Sequence, residues 1–314
     1  MLSRVLSVVF ALFGFLCAAQ SLASEQTPRL FLQKVSDHEY YAQGLSALGS
    51  PLNQNFISNA GVVIAPQGVV VIDALGSPEL ARRLIQEIRK LTDKPISYVI
   101  VTHYHADHIY GLQVFKDAGA QIIAQEKGKL YLTSDTAKLR LEASREELAP
   151  WIDNQTKLQP ADRWVTSDEH LILSGWQFDL LKVGPAHTPD DLAVYVPIEQ
   201  VLFAGDLMFR GRIPFVGNAD SAGWIKSLDR LLRINAKVVV PGHGPYSTDA
   251  RADLVFTRDY LQYLRDQMRE PALNLEDFDQ AYRAVDWSRY EQVPLFKAAN
   301  RMNAYNVFLS IQSQ

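Results

Sequence analysis

The chain has 314 residues, of which 47% are hydrophobic and 21% charged, and its formal net charge is −4. Those values describe an ordinary globular protein with ample core, in one large domain or two small ones. They leave no electrostatic case for binding nucleic acid or an anionic membrane.

Residues 1–23 read as a leader rather than part of the fold. Arg4 supplies a short basic region, Val5 to Ala19 an apolar stretch too short to span a membrane, and Ser21-Leu22-Ala23 a small-residue cleavage site. The expectation is a signal peptide cut after Ala23, a periplasmic or secreted product, and no stable membrane insertion afterwards. The one cysteine, Cys17, lies inside this leader, and Gly14-Phe15-Leu16 before it makes a poor lipobox. The mature chain then has no disulfide and no thiolate, so any metal site must use nitrogen and oxygen donors.

Leu30 to Ile72 reads as β-structure, with apolar runs at Gly61–Ile64 and Val69–Ile72 joined by the turn Ala65-Pro66-Gln67-Gly68. Asp73 ends the second run. Ser77-Pro78-Glu79 opens a helix, with Pro at its first position and Leu80, Leu84, Ile85, Ile88 and Leu91 on its apolar face. Ile96 to Val101 is a buried strand that stops at Thr102-His103-Tyr104-His105-Ala106-Asp107-His108, and a helix opens after it. Three of the chain's seven histidines fall in this one hexapeptide, His103 to His108. His103 and His105 are two apart, so an extended backbone points both the same way, whereas adjacent Asp107 and His108 diverge. That spacing suits two neighbouring metal positions. Imidazole with carboxylate suits zinc, and also iron or manganese.

Gln121–Ala124 is a further strand, and residues 126–150 are helical and charged. Residues 163–183 hold two or three strands around Ser174-Gly175 and end in Gly184-Pro185-Ala186-His187-Thr188-Pro189-Asp190. Leu192–Pro197 and Val201–Ala204 form a hairpin that leads into Gly205-Asp206-Leu207. Arg210 and Arg212 follow on a loop, and guanidinium pairs well with an anionic substrate group. A helix over 221–233 precedes the last core strand, Lys237–Val240, which delivers Pro241-Gly242-His243-Gly244-Pro245. The remaining residues read as helices, with Tyr305 or Phe308 lining the cleft. His38 and His170 lack this setting at a strand end and read as structural.

From about Asn53 to Tyr246 these phrases resemble the metallo-β-lactamase superfamily, whose signature is His-x-His-x-Asp-His after a core strand. The resemblance implies an α/β (α+β) fold, a four-layer αβ/βα sandwich of two mixed sheets with flanking helices. It implies a domain over 24–248 carrying the catalysis, and a helical extension over 249–314 packed on it. It places His103, His105 and His187 on one metal and Asp107, His108 and His243 on a second, with Asp206 bridging and Asp73 supporting the metal loop. Two divalent ions, zinc first, would then activate water to attack a small-molecule ester, thioester, lactone or amide, with Asp107 orienting it. Asn218 or Tyr246 would help hold the oxyanion, and Arg210 and Arg212 would contact substrate.

Asp206 stands where cysteine-containing β-lactamases have Cys, as in the glyoxalase II-like hydrolases. The phrases around His187 and Phe209–Ala219 also resemble exported hydrolases encoded with sulfur-oxidation or quinoprotein systems. The alternatives are a β-lactamase, a non-catalytic metal-binding module and a di-iron redox protein.

Overall fold

The computed structural model describes residues 28–313, so the leader reading and Cys17 lie outside the described residues. Among the described residues no helix is long and apolar enough to cross a membrane.

Four strands open the fold, each antiparallel to the one before: β1 (Leu32–Lys34), β2 (Glu39–Ala42), β3 (Ala60–Ala65) and β4 (Gly68–Ile72). The expected β-structure from Leu30 to Ile72 is interrupted, because residues 43–59 form turns and irregular chain. The Asn53 side chain organises part of that loop, accepting from Ser50 N at 2.9 Å and donating to Leu48 O at 2.7 Å. Helix α1 (Pro78–Arg89) follows, capped by the Ser77 hydroxyl, which accepts from Leu80 N. It stops at Arg89, which leaves Leu91 beyond its end and exposed.

Crossover connections then add parallel strands: β5 (Ile96–Ile100) beside β4, β6 (Gln121–Gln125) beside β5, and β7 (Arg163–Val165) beside β6. Helices α2 (Ala106–Ile109) and α3 (Leu112–Asp117) lie between β5 and β6, and α4 (Gly128–Thr133) and α5 (Asp135–Glu147) between β6 and β7. The second sheet has the order β12-β11-β10-β9-β8. It comprises β8 (Glu169–Leu173), β9 (Trp176–Lys182), β10 (Leu192–Val196), β11 (Val201–Phe209) and β12 (Val238–His243). Only β11 and β12 run parallel in it, joined through α6 (Ser221–Leu231). Helices α7 (Ala250–Leu273), α8 (Phe278–Ala284) and α9 (Phe296–Gln312) end the chain.

Strand alternation builds the layers. Side chains two apart share a face, and here both faces of the central strands are apolar. Val69 and Val71 of β4 pack toward α1 and α3 with Leu84, Ile88 and Phe115, while Val70 and Ile72 pack between the sheets. In β11, Val201 and Phe203 enter the same middle layer, and Leu202 and Ala204 face Trp224, Leu228 and Leu261. The result is helix, sheet, sheet, helix, with the expected four layers and two mixed sheets. Helices α7 and α9 share the outer layer of the second sheet through Leu261, Leu264, Val307 and Phe308.

Candidate metal centre

The polar residues gather where strands of both sheets end. His103 and His105 follow β5. Asp107 and His108 sit on the opening turn of α2, His187 follows β9, and His243 is the last residue of β12. Asp206 is not beyond its strand as expected: β11 runs on through it to Phe209, with register shifts against β12. Gly205, at φ +53°, makes that irregularity, and any side chain there would strike Thr102. A Cβ on Gly242 would lie 1.9 Å from Asp206 Oδ1, so only glycine lets β12 approach this carboxylate.

Two donor groups result. His103, His105, His187 and Asp206 each offer one atom, all within 4.8 Å of one another, and Asp107, His108 and His243 do the same. Asp206 lies between them. Its Oδ2 is 3.3 Å from His187 Nε2, 3.8 Å from His103 Nε2 and 3.2 Å from His243 Nε2. Its Oδ1 is 3.2 Å from His108 Nε2. Asp107 Oδ2 lies 3.3 Å from His243 Nε2. Donors around a four-coordinate ion at about 2.0–2.1 Å stand about 3.3 Å apart, so these separations have the required scale.

The inward ring nitrogens crowd one another. His105 Nδ1 faces both His103 Nε2, at 3.1 Å, and His187 Nε2, at 3.0 Å. Burial drives His103 and His105 below their ordinary pKa and His187 down to about 3, so these imidazoles are neutral. Neutral rings turned nitrogen to nitrogen cannot all satisfy each other by sharing protons. His108 Nε2 and Asp206 Oδ1 are buried without hydrogen-bond partners although close to each other. This donor set fits divalent cations.

The outer nitrogens are anchored. His108 Nδ1 meets Asp73 Oδ2 at 2.8 Å, and His243 Nδ1 meets the Ile57 carbonyl at 2.7 Å. Each bond turns Nε2 toward the centre. Asp73 also accepts from Thr102 N and its hydroxyl, at 2.7 and 2.8 Å, which ties the end of β4 to the histidine loop. Burial pushes His108 down in pKa, but Asp107, Asp206 and Asp73 outweigh it and raise the ring well above its ordinary value. Burial likewise pushes Asp206 up, and His243, His108 and His103 together hold it well below the usual carboxylate range. A bound cation would displace the proton held among these groups.

Several positioning residues carry no sequence signal of their own. Phe209 stacks on His243, with centroids 5.0 Å apart and planes at 6°, and Trp224 meets His187 edge-on at 5.0 Å. Asn59 Nδ2 donates to Pro241 O and Gly244 O, both at 2.8 Å, and so ties the start of β3 to the His243 loop. Asp191 accepts from Thr188 N and its hydroxyl, at 2.7 and 2.8 Å, and shapes the His187 loop.

A cavity of about 470 Å³ opens over the donors, and His105, Asp107, His187, Asp206, His243 and Arg212 all line it. Arg210, Asn218 and Tyr246 do not. Arg210 is committed to Asp253 Oδ2, at 2.7 Å, and Tyr246 O, at 2.8 Å, pinning the end of β11 to α7. Asn218 is exposed on its loop, and the Tyr246 ring packs edge-on against Tyr41 at 5.6 Å. Tyr305 and Phe308 pack on Phe278 of α8 rather than in the cleft. The 43–59 loop takes that place, with Leu48, Asn55 and Ile57.

Fold and site together define a class: a four-layer sandwich whose facing sheet ends hold paired histidine–aspartate donor groups suited to metal. The model of the metallo-beta-lactamase superfamily matches residues 54–243, and the chain belongs to that superfamily. It is 30% identical over 243 residues to a linear primary-alkylsulfatase of a Pseudomonas species, covering 66% of this chain but only 46% of that protein. It is 26% identical over 272 residues to the type 2 metallo-beta-lactamase of Bacillus cereus, covering 82% of this chain and 97% of that one. Among solved structures, a metallo-beta-lactamase from Pontibacter korlensis superposes with a TM-score of 0.58 at 24% identity, covering 74% of this chain and 99% of that chain. The sec-alkylsulfatase Pisa1 of a Pseudomonas species gives 0.68 at 18% identity, covering 90% of this chain and 50% of that chain.

Proposed function

We propose that this chain is an exported, binuclear, zinc-dependent hydrolase with a glyoxalase II-like donor set, acting on an ester, thioester, lactone or amide. The observation that carries the reading is the Asp206 carboxylate, whose two oxygens approach donors of both groups. His103, His105 and His187 would hold one ion, and Asp107, His108 and His243 the other, with Asp206 shared. Two divalent ions there would supply water activated near neutral pH and would polarise the bond under attack.

The chain's own residues do the rest. Asp73 and the Ile57 carbonyl orient His108 and His243. Asp107, whose side chain keeps 17% exposure, is the more exposed of the two donor carboxylates that line the cavity, and it is placed to orient a water molecule there. Phe209, Leu148 and Ile57 keep bulk water off one side of the cavity.

β-Lactam hydrolysis is the second reading. The match over nearly the whole Bacillus cereus enzyme supports it, and the aspartate at position 206, where the cysteine-containing β-lactamases carry Cys, counts against it as the main role. The decisive experiment is elemental analysis of metal-replete protein together with turnover of esters, thioesters, lactones, amides and β-lactams. The expected result is about two zinc ions per chain, hydrolysis within the first four classes, and a mature chain beginning at Ser24. One ion or none would remove the binuclear reading, and two ions without turnover would make the chain a metal-binding module.

A further inference from the structure

Two arginines line the cavity outside the donor groups: Arg140 pairs with Glu147 at 3.1 Å, whereas Arg212 has no such partner. Its side chain is 5% exposed, yet Nε and Nη1 are buried without a hydrogen-bond partner. A guanidinium keeps its charge and offers five donors in a fixed fork. Burying one unpaired is costly, and the cost is recovered only when an acceptor arrives. Arg210, two residues earlier, shows the ordinary solution, with Asp253 and the Tyr246 carbonyl as partners.

Arg212 lies over the Phe209 ring, 5.7 Å from its centroid, and that ring stacks on His243. The Asp206 and Asp107 carboxylates act on it through space, but neither forms an ion pair with it among the described residues. With cations in place those two carboxylates are committed to the metals. They offset only half the charge of two divalent ions, so Arg212 then adds to a surplus of positive charge beside the cavity.

The loop that carries Arg212 is held from outside the donor set. Ile213 N donates to Pro294 O at 2.9 Å. Asn303 of α9, fully buried, accepts from Val216 N at 2.9 Å and donates to Pro214 O at 2.7 Å. The fork is therefore preorganised, which lowers the cost of ordering it on binding. Apolar side chains share the cavity with it: Leu48, Ile57, Leu148 and Phe215 line it, and Leu48 and Phe215 are 63% and 41% exposed.

We infer that Arg212 is an anion-binding residue and that the substrate is a small amphiphile, with an oxyanion group on Arg212 and an apolar body along Leu48, Ile57, Leu148 and Phe215. Carboxylate, sulfate and phosphate groups share the chemistry the fork recognises. The inference rests on the hydrolase reading only for the bond that breaks.

Calorimetric titration of the metal-loaded chain with hexanoate, hexanesulfonate, hexylphosphonate and 1-hexanol tests it. At least one anion should bind ten-fold or more tighter than the alcohol, and the ranking of the three identifies the preferred group. Arg212→Met should remove most of that preference and leave hexanol binding within about three-fold, while Arg212→Lys keeps part of it. Circular dichroism and metal content are read on both variants. If Arg212→Met is misfolded, the anion-to-alcohol ratios of wild type and Arg212→Lys decide. Anions binding no tighter than hexanol overturn the inference, as does a preference that survives Arg212→Met intact, because the metals alone would then select the anion. Arg212-dependent anion binding without turnover of any substrate defeats the hydrolase reading and leaves this one standing. Turnover of neutral esters that is indifferent to Arg212→Met does the reverse.

Discussion

A histidine–carboxylate cluster sits at each end of the sandwich. Where β11 begins, His38 Nδ1 meets Glu199 Oε1, and the other Glu199 oxygen accepts from the Ser36 hydroxyl and from His38 N. The His38 side chain is 53% exposed there. His170 is similar, paired with Asp179 at 2.6 Å and 68% exposed. Where β11 ends, the rings of His103, His108, His187 and His243 are nearly inaccessible. Their outer nitrogens, where partnered, meet Asp73, the Ile57 carbonyl and Thr102, and their inner nitrogens face one another and Asp206. A structural histidine spends its protons on a neighbouring acceptor and stays wet. A ligand histidine is fixed from behind and points a lone pair at other lone pairs, which is stable only around a cation.

The largest effect expected at the metal end comes from Asp206→Ala. The change removes a negative charge from among donors of both groups, so at least one ion should bind much more weakly and hydrolysis should fall by about 100-fold or more. The fold should survive, since the apolar faces of β11 do not depend on this side chain. Elemental analysis, circular dichroism and rate on one preparation check all three points. Full metal occupancy in the alanine variant would refute the shared role of Asp206.

A smaller effect is expected from Asp73→Asn. Asp73 has φ +63°, a conformation asparagine tolerates, so the backbone should hold. The amide oxygen can still accept from Thr102, but an amide donor then faces His108 Nδ1 in place of an acceptor. Metal affinity, read by competition with a chelator, should drop about 10–100-fold. An unchanged affinity would mean that His108 does not need its support and would blur the contrast with His38.

The difference between the two ends was largely legible along the chain. His103, His105, Asp107, His108, His187 and His243 each close or follow an apolar strand, and His38 and His170 do not. Strand ends are a local pattern, so the motif could be placed without the fold. The walls of the cavity were not legible, because they depend on segments far apart in the chain. Nothing in the spacing separates Arg210 from Arg212; Asp253 on α7 and the carbonyl of Tyr246 claim one and leave the other. Trp224 belongs to the expected 221–233 helix and Phe209 to the phrase that opens at it, and neither carries a sign of its role until β11 and α6 bring them against His243 and His187. The 43–59 segment looked like strand because it is partly apolar, and its Leu48 and Ile57 instead face the cavity.

The remaining prediction concerns the other end and should leave turnover untouched. Glu39 on β2 is fully buried beside the His38–Glu199 pair; its Oε2 lies 2.8 Å from the Ser36 hydroxyl oxygen, and Oε1 has no partner. Burial lifts its pKa from 4.5 to about 8, with the Glu199 carboxylate adding to the rise and the Ser36 hydroxyl opposing it. The folded chain thus keeps this proton between those two values while the unfolded chain has lost it. Because the native state binds more protons in that window, stability falls as pH rises from 4.5 to about 8 and is flat with respect to this group outside it. The slope approaches about 1.4 kcal/mol per pH unit at most. Glu39→Gln cannot ionise, so its melting temperature should fall less between pH 5 and pH 8 than that of the wild type, with metal content and rate unchanged at both. Parallel melting curves for the two proteins would mean that Glu39 is already ionised in the fold. A loss of metal on the same substitution would mean that the two ends are coupled rather than independent.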